Sequence, residues 1–328
     1  MLYYYALLYY NINLKQIKTM KKIHLISTLI GLLAFSTLAK ADLKVVTSIK
    51  PIHSLASYIM DGVGSPGLIV DGYNSPHSFQ LKPSHAKMLE QADIIFWIGE
   101  DLENFLEKPL ATIAKKAEKI ELLEIKDIKK LKFRERNIFE EHDDHGHDAK
   151  KEEHDDHDDH GHGEYDPHIW LDPINAKVIL NEITEHLIEN DSKNASTYKS
   201  NLAKALAKID KLIIDVITET NTDLSYVVFH DAYQYYENRF NVNILGAMTV
   251  NPDVMPGAEQ IHEIHEIIEH DNVSCILSEP QFNPDIIKSI AKDTNVKTGV
   301  LDPLGANLKP GKDLYFDLIR NMSASFNC

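Results

Sequence analysis

The chain has 328 residues, of which 43% are hydrophobic and 26% are charged, a composition typical of a globular protein large enough for two domains. Its formal net charge of -16 argues against nucleic-acid binding, which requires a basic face, and favours the attraction of cations. We therefore expect a small or cationic partner and no nucleic acid.

Residues 1–41 have the features of a leader that is cleaved during export. Lys21-Lys22 precede an apolar run from Ile23 to Leu38, and Ala39-Lys40-Ala41 supply a small-residue cleavage site, as in a secretory signal peptide. Met20 is a candidate start, since such a signal does not need the tyrosine-rich stretch before it. No cysteine lies at the cleavage site, and no later stretch has the roughly 20 apolar residues of a spanning helix. We therefore expect a soluble periplasmic protein without a lipid anchor.

Strands and helices alternate in the next part of the chain. Short apolar runs predict the strands, and apolar residues spaced three and four apart predict the helices between them. The predicted strands cover residues 43–49, 67–70, 94–99 and 120–125, and the predicted helices cover residues 52–59, 83–92 and 102–119. This alternation is typical of an α/β fold with a parallel sheet.

Residues 140–164 interrupt the alternation, because this tract is rich in histidine, aspartate and glutamate and has almost no apolar residue. Such a segment cannot bury enough apolar surface to offset the entropy lost on ordering, so we predict a disordered insertion. A loop that merely solvates the protein is the alternative. Solubility does not require repeated histidine, however, and we favour weak metal capture. The auxiliary ligands would be His142, His145, His147, His154, His157, His160 and His162.

The second half of the chain repeats the alternation after a long helix. Apolar residues at helical spacing predict helices over 174–189 and 194–220, and the second is long enough to connect two domains. Beyond it, strands are predicted at 225–229, 242–248, 273–277 and 296–301, with helices near 231–239, 257–270, 284–294 and 312–326. We place an N-terminal lobe at 42–192, a linking helix at 193–221 and a C-terminal lobe at 222–328.

Four side chains in predicted loops are candidate metal ligands. His77 and His168 each follow a proline, which stiffens the backbone that presents the imidazole. His230 and Asp302 each follow a predicted strand, and ligands of open α/β sheets bind beyond the carboxyl ends of the strands. For any one of these histidines, a hydrogen-bonded turn residue is the simpler interpretation. Together, three imidazoles and a carboxylate suit a tetrahedral Zn²⁺ site.

Cys275 and Cys328 are the only cysteines, and both lie in the part of the chain that is predicted to be exported. In an oxidising compartment one such pair is most simply a disulfide, with two buried free thiols as the alternative. We favour the disulfide, because Cys328 is the last residue and would otherwise lie on a fraying end.

Four motifs carry a resemblance to a known family. They are Ser75-Pro76-His77, Asp166-Pro167-His168-Ile169-Trp170-Leu171-Asp172-Pro173, Phe229-His230-Asp231-Ala232-Tyr233 and Leu301-Asp302-Pro303-Leu304-Gly305, with the histidine-rich tract before the second. From about residue 45 to residue 328, the chain resembles the zinc-uptake (ZnuA-like) branch of the metal-binding proteins that serve ABC importers. The resemblance implies two (β/α)4 lobes, each with a mainly parallel four-stranded sheet, joined by a long linking helix, with the metal in the cleft.

The resemblance also implies a function and a ligand set. The protein would bind Zn²⁺ and deliver it to an inner-membrane ABC permease with a cytoplasmic ATPase, and we expect it to act as a monomer. His77, His168 and His230 would be ligands, and Cys275 with Cys328 matches the disulfide of the zinc branch. Manganese-preferring relatives have a glutamate at the position of His230, so the histidine favours zinc here.

One position departs from the family pattern. Some zinc-binding members place a glutamate ligand immediately before the first histidine, where this chain has Pro76. Asp302 or a water molecule must then complete the coordination shell, and we rank Asp302 first.

Other functions would use the same groups. They are a carrier of manganese or another divalent metal within the same family, and a periplasmic zinc buffer or adhesin in which the histidine-rich tract is the functional element. A zinc hydrolase would need an open water position and a positioned general base, and the sequence offers no identifiable pair for that role. We therefore do not expect an enzyme.

The remaining histidines have simpler interpretations. His262 and His265 are separated by three positions rather than the four of a zinc-protease motif, so a solvated helix face is the better interpretation for them and for His270. Structural roles are expected for His53, His85 and His186.

Overall fold

The computed structural model describes residues 42–134, 136–139, 163–250, 252, 254 and 256–328. The predicted leader and all the predicted auxiliary histidines of the tract lie outside these residues, so both stay predictions. Within the described part of the chain, no helix is long and apolar enough to cross a membrane.

The N-terminal lobe is built on a parallel sheet. Its strands are β1 (Val45–Ile49), β2 (Gly67–Val70), β3 (Ile94–Trp97) and β4 (Glu118–Glu121), and its helices are α1 (Lys50–Ile59), α2 (Pro83–Gln91) and α3 (Glu100–Thr112). The strand order is β2-β1-β3-β4, with every neighbouring pair parallel. β1 and β3 are buried at every residue, which explains their unbroken apolar runs.

Two long helices follow the N-terminal sheet. They are α4 (Pro173–Asn190), capped by the Asp172 side chain, and α5 (Ala195–Glu219). With 25 residues, α5 is about 37 Å long. It buries a stripe of residues at helical spacing, among them Tyr198, Ala205, Ile209, Leu212 and Val216. The helix lies within the predicted linker at 193–221, whereas the lobe boundaries on either side of that linker stay predictions.

The C-terminal lobe repeats the same architecture. Its strands are β5 (Ser225–His230), β6 (Asn243–Thr249), β7 (Cys275–Ser278) and β8 (Lys297–Val300), and its helices are α6 (Gln234–Phe240), α7 (Ala258–His270), α8 (Asp285–Thr294) and α9 (Leu314–Ser325). The strand order is β6-β5-β7-β8, again parallel throughout. Among the described residues, each sheet has four strands and the same topology, which confirms the predicted α/β fold.

Two predicted boundaries in the N-terminal lobe are wrong. The helix predicted over 102–119 ends at Thr112, because the chain must turn before Glu118 can pair with Ile94 on β3. The strand predicted over 120–125 ends at Glu121, where the β3 ladder also ends, and a 3-10 turn follows. The length of β4 is therefore set by its pairing with β3 and not by the local strand propensity of residues 120–125.

The largest hydrophobic cluster of the described residues includes side chains from both sheets and from α5. A smaller cluster lies between the C-terminal sheet and α7 and α8, and it includes Val227, Leu245, Ile264 and Ile287. Cys275 and Cys328 form a disulfide with 6.2 Å between their Cα atoms, which ties the end of the chain to β7. Because the lobes share one core, packing as well as chain connectivity sets the geometry of the cleft.

Candidate metal centre

His77 lies in the loop between β2 and α2, at the carboxyl edge of the N-terminal sheet. Pro76 precedes it, and the His77 backbone N–H donates to Ser75 Oγ at 3.2 Å. The side chain is half-buried. A locally hydrogen-bonded, proline-stiffened turn thus presents this imidazole to the cleft.

His168 lies in the segment before α4 and is buried, with 3% exposure. Asp166 holds it twice, because Oδ1 accepts from the His168 backbone N–H at 3.0 Å and lies 2.7 Å from Nδ1. The Trp170 ring packs 5.3 Å from the imidazole and donates its Nε1–H to Pro303 O in the C-terminal lobe at 2.8 Å. The orientation of the imidazole is therefore determined by residues within two positions of His168 in the sequence.

His230 is the last residue of β5 and is as buried as His168. Its Nδ1 lies 2.6 Å from Oε1 of Glu279, a residue that follows β7 directly and is only 2% exposed. Sequence reasoning missed Glu279. Its signal was its position after a predicted strand, which is the same signal that pointed to His230 and Asp302.

The three imidazoles converge in the cleft. One ligand nitrogen of His77, one of His168 and one of His230 lie within 4.8 Å of one another, around a cavity of about 10 Å³. The Nε2 atoms of His168 and His230 are 3.4 Å apart. Two nitrogens bound to one tetrahedral zinc ion at about 2.05 Å would lie about 3.3 Å apart, so this spacing fits a shared ion.

The carboxylates favour one tautomer of the two buried imidazoles. A neutral imidazole that donates from Nδ1, as the contacts with Asp166 and Glu279 favour, carries its lone pair on Nε2. The lone pairs of His168 and His230 would then face each other across 3.4 Å. Two lone pairs at this distance repel each other unless a proton or a metal ion lies between them, so the arrangement suits a metal ion that replaces the proton.

Burial and neighbouring charges shift the pKa values of the two buried histidines in opposite directions. Burial lowers the pKa of His168 well below its ordinary value, and the charge on His230 adds to this effect. Burial also lowers the pKa of His230, but the carboxylates of Glu279, Asp231 and Asp166 together outweigh it, so this pKa is raised. His168 is thus ready to bind a metal at neutral pH, whereas metal binding to His230 must displace a proton from a larger fraction of molecules.

Asp302 does not join the three imidazoles. It follows β8 as predicted, but its carboxylate accepts from the backbone N–H groups of Leu304 at 3.0 Å, Gly305 at 2.9 Å and Ala306 at 2.6 Å. Gln281 Nε2 donates to it at 3.0 Å. Three of these donors share Oδ1 and the fourth binds Oδ2, and the carboxylate does not belong to the group of ligand atoms that the three histidines form. The predicted role of Asp302 as fourth ligand therefore does not fit this geometry, in which it holds its own loop.

Other histidines in the described residues have different surroundings. His186 Nδ1 lies 2.9 Å from Glu118 Oε1, and its Nε2 lies 3.2 Å from Glu182 Oε1, so the imidazole links β4 to α4. Glu118, His186 and Glu189 form a second, more exposed group of ligand-type side chains. The side chain of His262 is 73% exposed and lies 3.5 Å from Glu266 on the same helix. These contacts agree with the structural and solvated roles expected from the sequence.

Comparisons with known proteins identify one family. The chain matches the model of the ZnuA family, described as "Zinc-uptake complex component A periplasmic", over residues 45–327. It is 43% identical over 327 residues to the "High-affinity zinc uptake system protein ZnuA" of Brucella abortus (strain 2308), covering 94% of this chain and 98% of that protein. The protein of the same name from Yersinia pestis is 36% identical over 296 residues, covering 87% and 91%. A solved structure described as "Crystal structure of ZnuA" has a TM-score of 0.69 at 21% identity, covers 87% of this chain and 100% of that chain, and thus shares its fold.

Proposed function

The chain belongs to the ZnuA family of zinc-uptake proteins, and from this premise we propose that it captures Zn²⁺ with high affinity outside the cytoplasm and delivers it to an ABC transporter. The observation that carries this proposal is the convergence of His77, His168 and His230 within 4.8 Å. The first two histidines come from the N-terminal lobe and the third comes from the C-terminal lobe. Zinc binding therefore depends on the position of one lobe relative to the other, which suits a protein that must also release its ion.

The ligand types support zinc over manganese. Three imidazole nitrogens form a borderline set that suits Zn²⁺, whereas manganese prefers more oxygen ligands. Asp302 is engaged by its own loop, so we assign the fourth coordination position to a water molecule or to the Glu279 carboxylate, which lines the same cavity and has a buried Oε2.

A carrier fits the cleft better than a zinc hydrolase. The cavity between the imidazoles is about 10 Å³ and is lined by apolar groups such as Trp170 and Phe282. A cavity of this size has room for about one ion or water molecule. A larger cavity of about 760 Å³ adjoins it at Ser75, Gln281 and Phe282, but none of the three ligand histidines lines that cavity.

The cellular setting of the protein follows from the family and from the leader. We place the mature chain in the periplasm as a soluble monomer without a lipid anchor, on the basis of the signal-like residues 1–41. Its partner would be an inner-membrane permease with a cytoplasmic ATPase. The lobe boundaries at 42–192, 193–221 and 222–328 belong to the same proposal.

The histidine-rich tract would add weak zinc sites. Its seven histidines lie among acidic residues that raise the local concentration of cations. Any coordination shell there must first order a polar segment, and this entropic cost lowers its affinity relative to the cleft, where prolines and carboxylates hold the imidazoles.

Metal identity and stoichiometry test the proposal directly. Native mass spectrometry of the protein as isolated, and again after mild chelation, should show one zinc ion that is retained when weaker equivalents are lost. A competitive chelator titration of His168→Ala should then show zinc affinity reduced by at least about 100-fold. Structural zinc binding of about 10–16 kcal/mol divided among four ligands corresponds to roughly 3 kcal/mol for each.

The matched control for this titration is His262→Ala, which removes an exposed imidazole. Its tight zinc affinity should stay at the wild-type value. Equal losses in the two variants, or a retained metal other than zinc, would contradict the assignment.

A further inference from the structure

A segment outside the family motifs links the two lobes next to the metal centre. This interlobe segment consists of residues 131–139, all of which the structure describes except residue 135. Lys132 pairs with Tyr165 in the N-terminal lobe, and Ile138 pairs with Gly246 on β6 in the C-terminal lobe. Both pairs are antiparallel, so the segment is hydrogen-bonded to each lobe in turn.

The contact of the interlobe segment with β6 is close. The Phe139 N–H donates to Leu245 O at 2.9 Å, and the Ala247 N–H donates to Asn137 O at 2.8 Å. A Cβ atom on Gly246 would lie 2.7 Å from the Asn137 carbonyl oxygen, so this approach requires glycine. The segment thus covers the edge of the C-terminal sheet, and the sequence of β6 is adapted to it.

Arg134 is the charged anchor of the interlobe segment. Its Nη1 donates to Asp231 Oδ1 at 2.8 Å and to Glu237 Oε1 at 3.0 Å, and its Nη2 donates to Glu237 Oε2 at 2.7 Å. Asp231 is 4% exposed and Glu237 is 9% exposed. One guanidinium with fork geometry therefore bridges two carboxylates that are almost removed from water.

The interlobe segment is also connected to both buried ligand histidines through their neighbours. Asp231, which Arg134 holds, directly follows His230 in the sequence. Gln234 Nε2 donates at 3.2 Å to a backbone carbonyl of the segment and at 3.2 Å to Asp166 Oδ2. Asp166 in turn holds the imidazole of His168. One segment thus contacts Asp231, the neighbour of one ligand, and Gln234, which binds the carboxylate that orients the other.

We infer that Arg134 is a positioning residue of the metal centre, and that zinc binding in turn orders the interlobe segment. This inference rests on the proposed zinc-binding function. Loss of Arg134 would leave Asp231 and Glu237 buried without a counter-ion, so the loop after His230 would shift to hydrate them. Such a shift would move the His230 imidazole away from the other two. Because coupling between two sites is reciprocal, zinc that holds His230 in place must also stabilise the segment.

Two measurements on the intact protein and its Arg134→Ala variant test the inference. In the wild type, saturating Zn²⁺ should slow hydrogen exchange at the amides of Phe139 and Ala247, which join the segment to β6. In the variant, a competitive chelator titration should show zinc affinity reduced about 10-fold, as for other groups that orient a metal ligand. The slowing of exchange at those two amides should disappear even at saturating zinc.

Two further variants separate positioning from general stability. Arg239→Ala removes an ion pair of the same type, with Asp172 at 2.7 and 2.8 Å, and should lower the melting temperature while leaving zinc affinity at the wild-type value. Gly246→Ala displaces the segment without altering a charge, and should reproduce both losses. If Arg134→Ala does not fold, the same two measurements on Gly246→Ala test the inference instead.

Wild-type zinc affinity in a folded Arg134→Ala protein would overturn the inference, and so would zinc-dependent slowing that persists in that variant. A wild-type protein without a tight zinc site would instead contradict the proposed function, so the two failures are distinguishable.

Discussion

The two lobes present the same chemical unit, but they build it in different ways. In the N-terminal lobe, Asp166 and His168 are two positions apart, and a single turn places the carboxylate against Nδ1. In the C-terminal lobe, His230 and Glu279 are 49 positions apart and meet because β5 and β7 are neighbouring strands. One half of the centre is thus local, and the other half depends on the integrity of a sheet.

The lobes also differ in how the supporting sheet is held. The C-terminal sheet carries the disulfide between Cys275, the first residue of β7, and Cys328. The N-terminal lobe has no cysteine in its sequence and relies on packing against α4 and α5. Variants of each lobe can therefore test whether the two halves of the centre fail independently.

The greatest loss of stability should occur in the C-terminal lobe. Replacing Cys275 and Cys328 together by serine removes a cross-link over 53 positions, which the chain-entropy relation equates with about 4 kcal/mol of unfolding free energy. Chemical denaturation should show this loss, and hydrogen exchange should accelerate in β7 more than in β3. Reduction of the wild-type disulfide is the control and should have the same effect. An unchanged unfolding midpoint would contradict the claim that this bond supports the Glu279 side of the centre.

The next effect concerns a buried carboxyl of the N-terminal lobe that contacts no ligand histidine. Burial raises the pKa of Glu103 from 4.5 to about 7. The folded protein therefore binds this proton more tightly than the unfolded chain does, and stability should fall as the pH rises from about 4.5 to 7. The decrease from this one group is about 3 kcal/mol.

Glu103→Gln cannot ionise, so its zinc-free unfolding free energy should decline less than that of the wild type over this pH range. Its Oε1 can still accept the hydrogen bonds that Glu103 receives from the Ile98 and Gly99 amides. Glu107→Gln, an exposed change on the same helix, is the control and should retain the full decline. If the unfolding free energies of the wild type and of Glu103→Gln declined in parallel with pH, the Glu103 carboxyl would not be the source of the decline.

In each of the two histidine-carboxylate pairs, Asp166–His168 and Glu279–His230, the carboxylate should contribute to zinc affinity. Asp166→Asn and Glu279→Gln should each weaken binding by about 10- to 100-fold, because the imidazole then loses the partner that fixes its tautomer and orientation. Asp166→Asn should also lower the melting temperature of the zinc-free protein more, since Asp166 additionally accepts from the His168 amide and from Gln234. Competitive chelator titrations and thermal melts measure the two effects.

Glu118→Gln is the control for both carboxylate variants, because Glu118 contacts His186, which is not a proposed ligand. Its zinc affinity should remain at the wild-type value. If the three variants lost zinc affinity equally, the loss would reflect general destabilisation. The proposal that Asp166 and Glu279 each support one ligand histidine would then be wrong.

The smallest effect on tight binding should come from the histidine-rich tract. Deleting residues 142–162 should leave one tight equivalent of zinc with affinity changed by less than about twofold, since both histidine-carboxylate pairs remain. Calorimetry should show that the weak equivalents have disappeared. Loss of the tight equivalent in a deleted protein that still melts cooperatively would place the tract in the primary coordination shell.

The amino-acid sequence was sufficient to predict the α/β alternation and a long helix between the two sheets, and it pointed to the three histidines that converge in the structure. Each of these depends on local information, namely apolar periodicity, a proline before an imidazole or a residue directly after a strand. Cys275 and Cys328 could also be paired from the sequence, because the chain has no other cysteine. Local physics was sufficient wherever the signal and the structure it specifies lie within a few residues of each other.

The choice of carboxylates that serve the centre became clear only in the folded chain. Asp302 and Glu279 both follow strands of the same sheet, yet Asp302 binds the amides of its own loop while Glu279 contacts His230. The boundaries of α3 and β4, and the reach of Arg134 to Asp231, likewise depend on partners far away in the sequence. The role of a buried side chain, and the residue at which a strand ends, depend on the neighbour that satisfies its hydrogen bonds. That neighbour comes close only once the chain has folded.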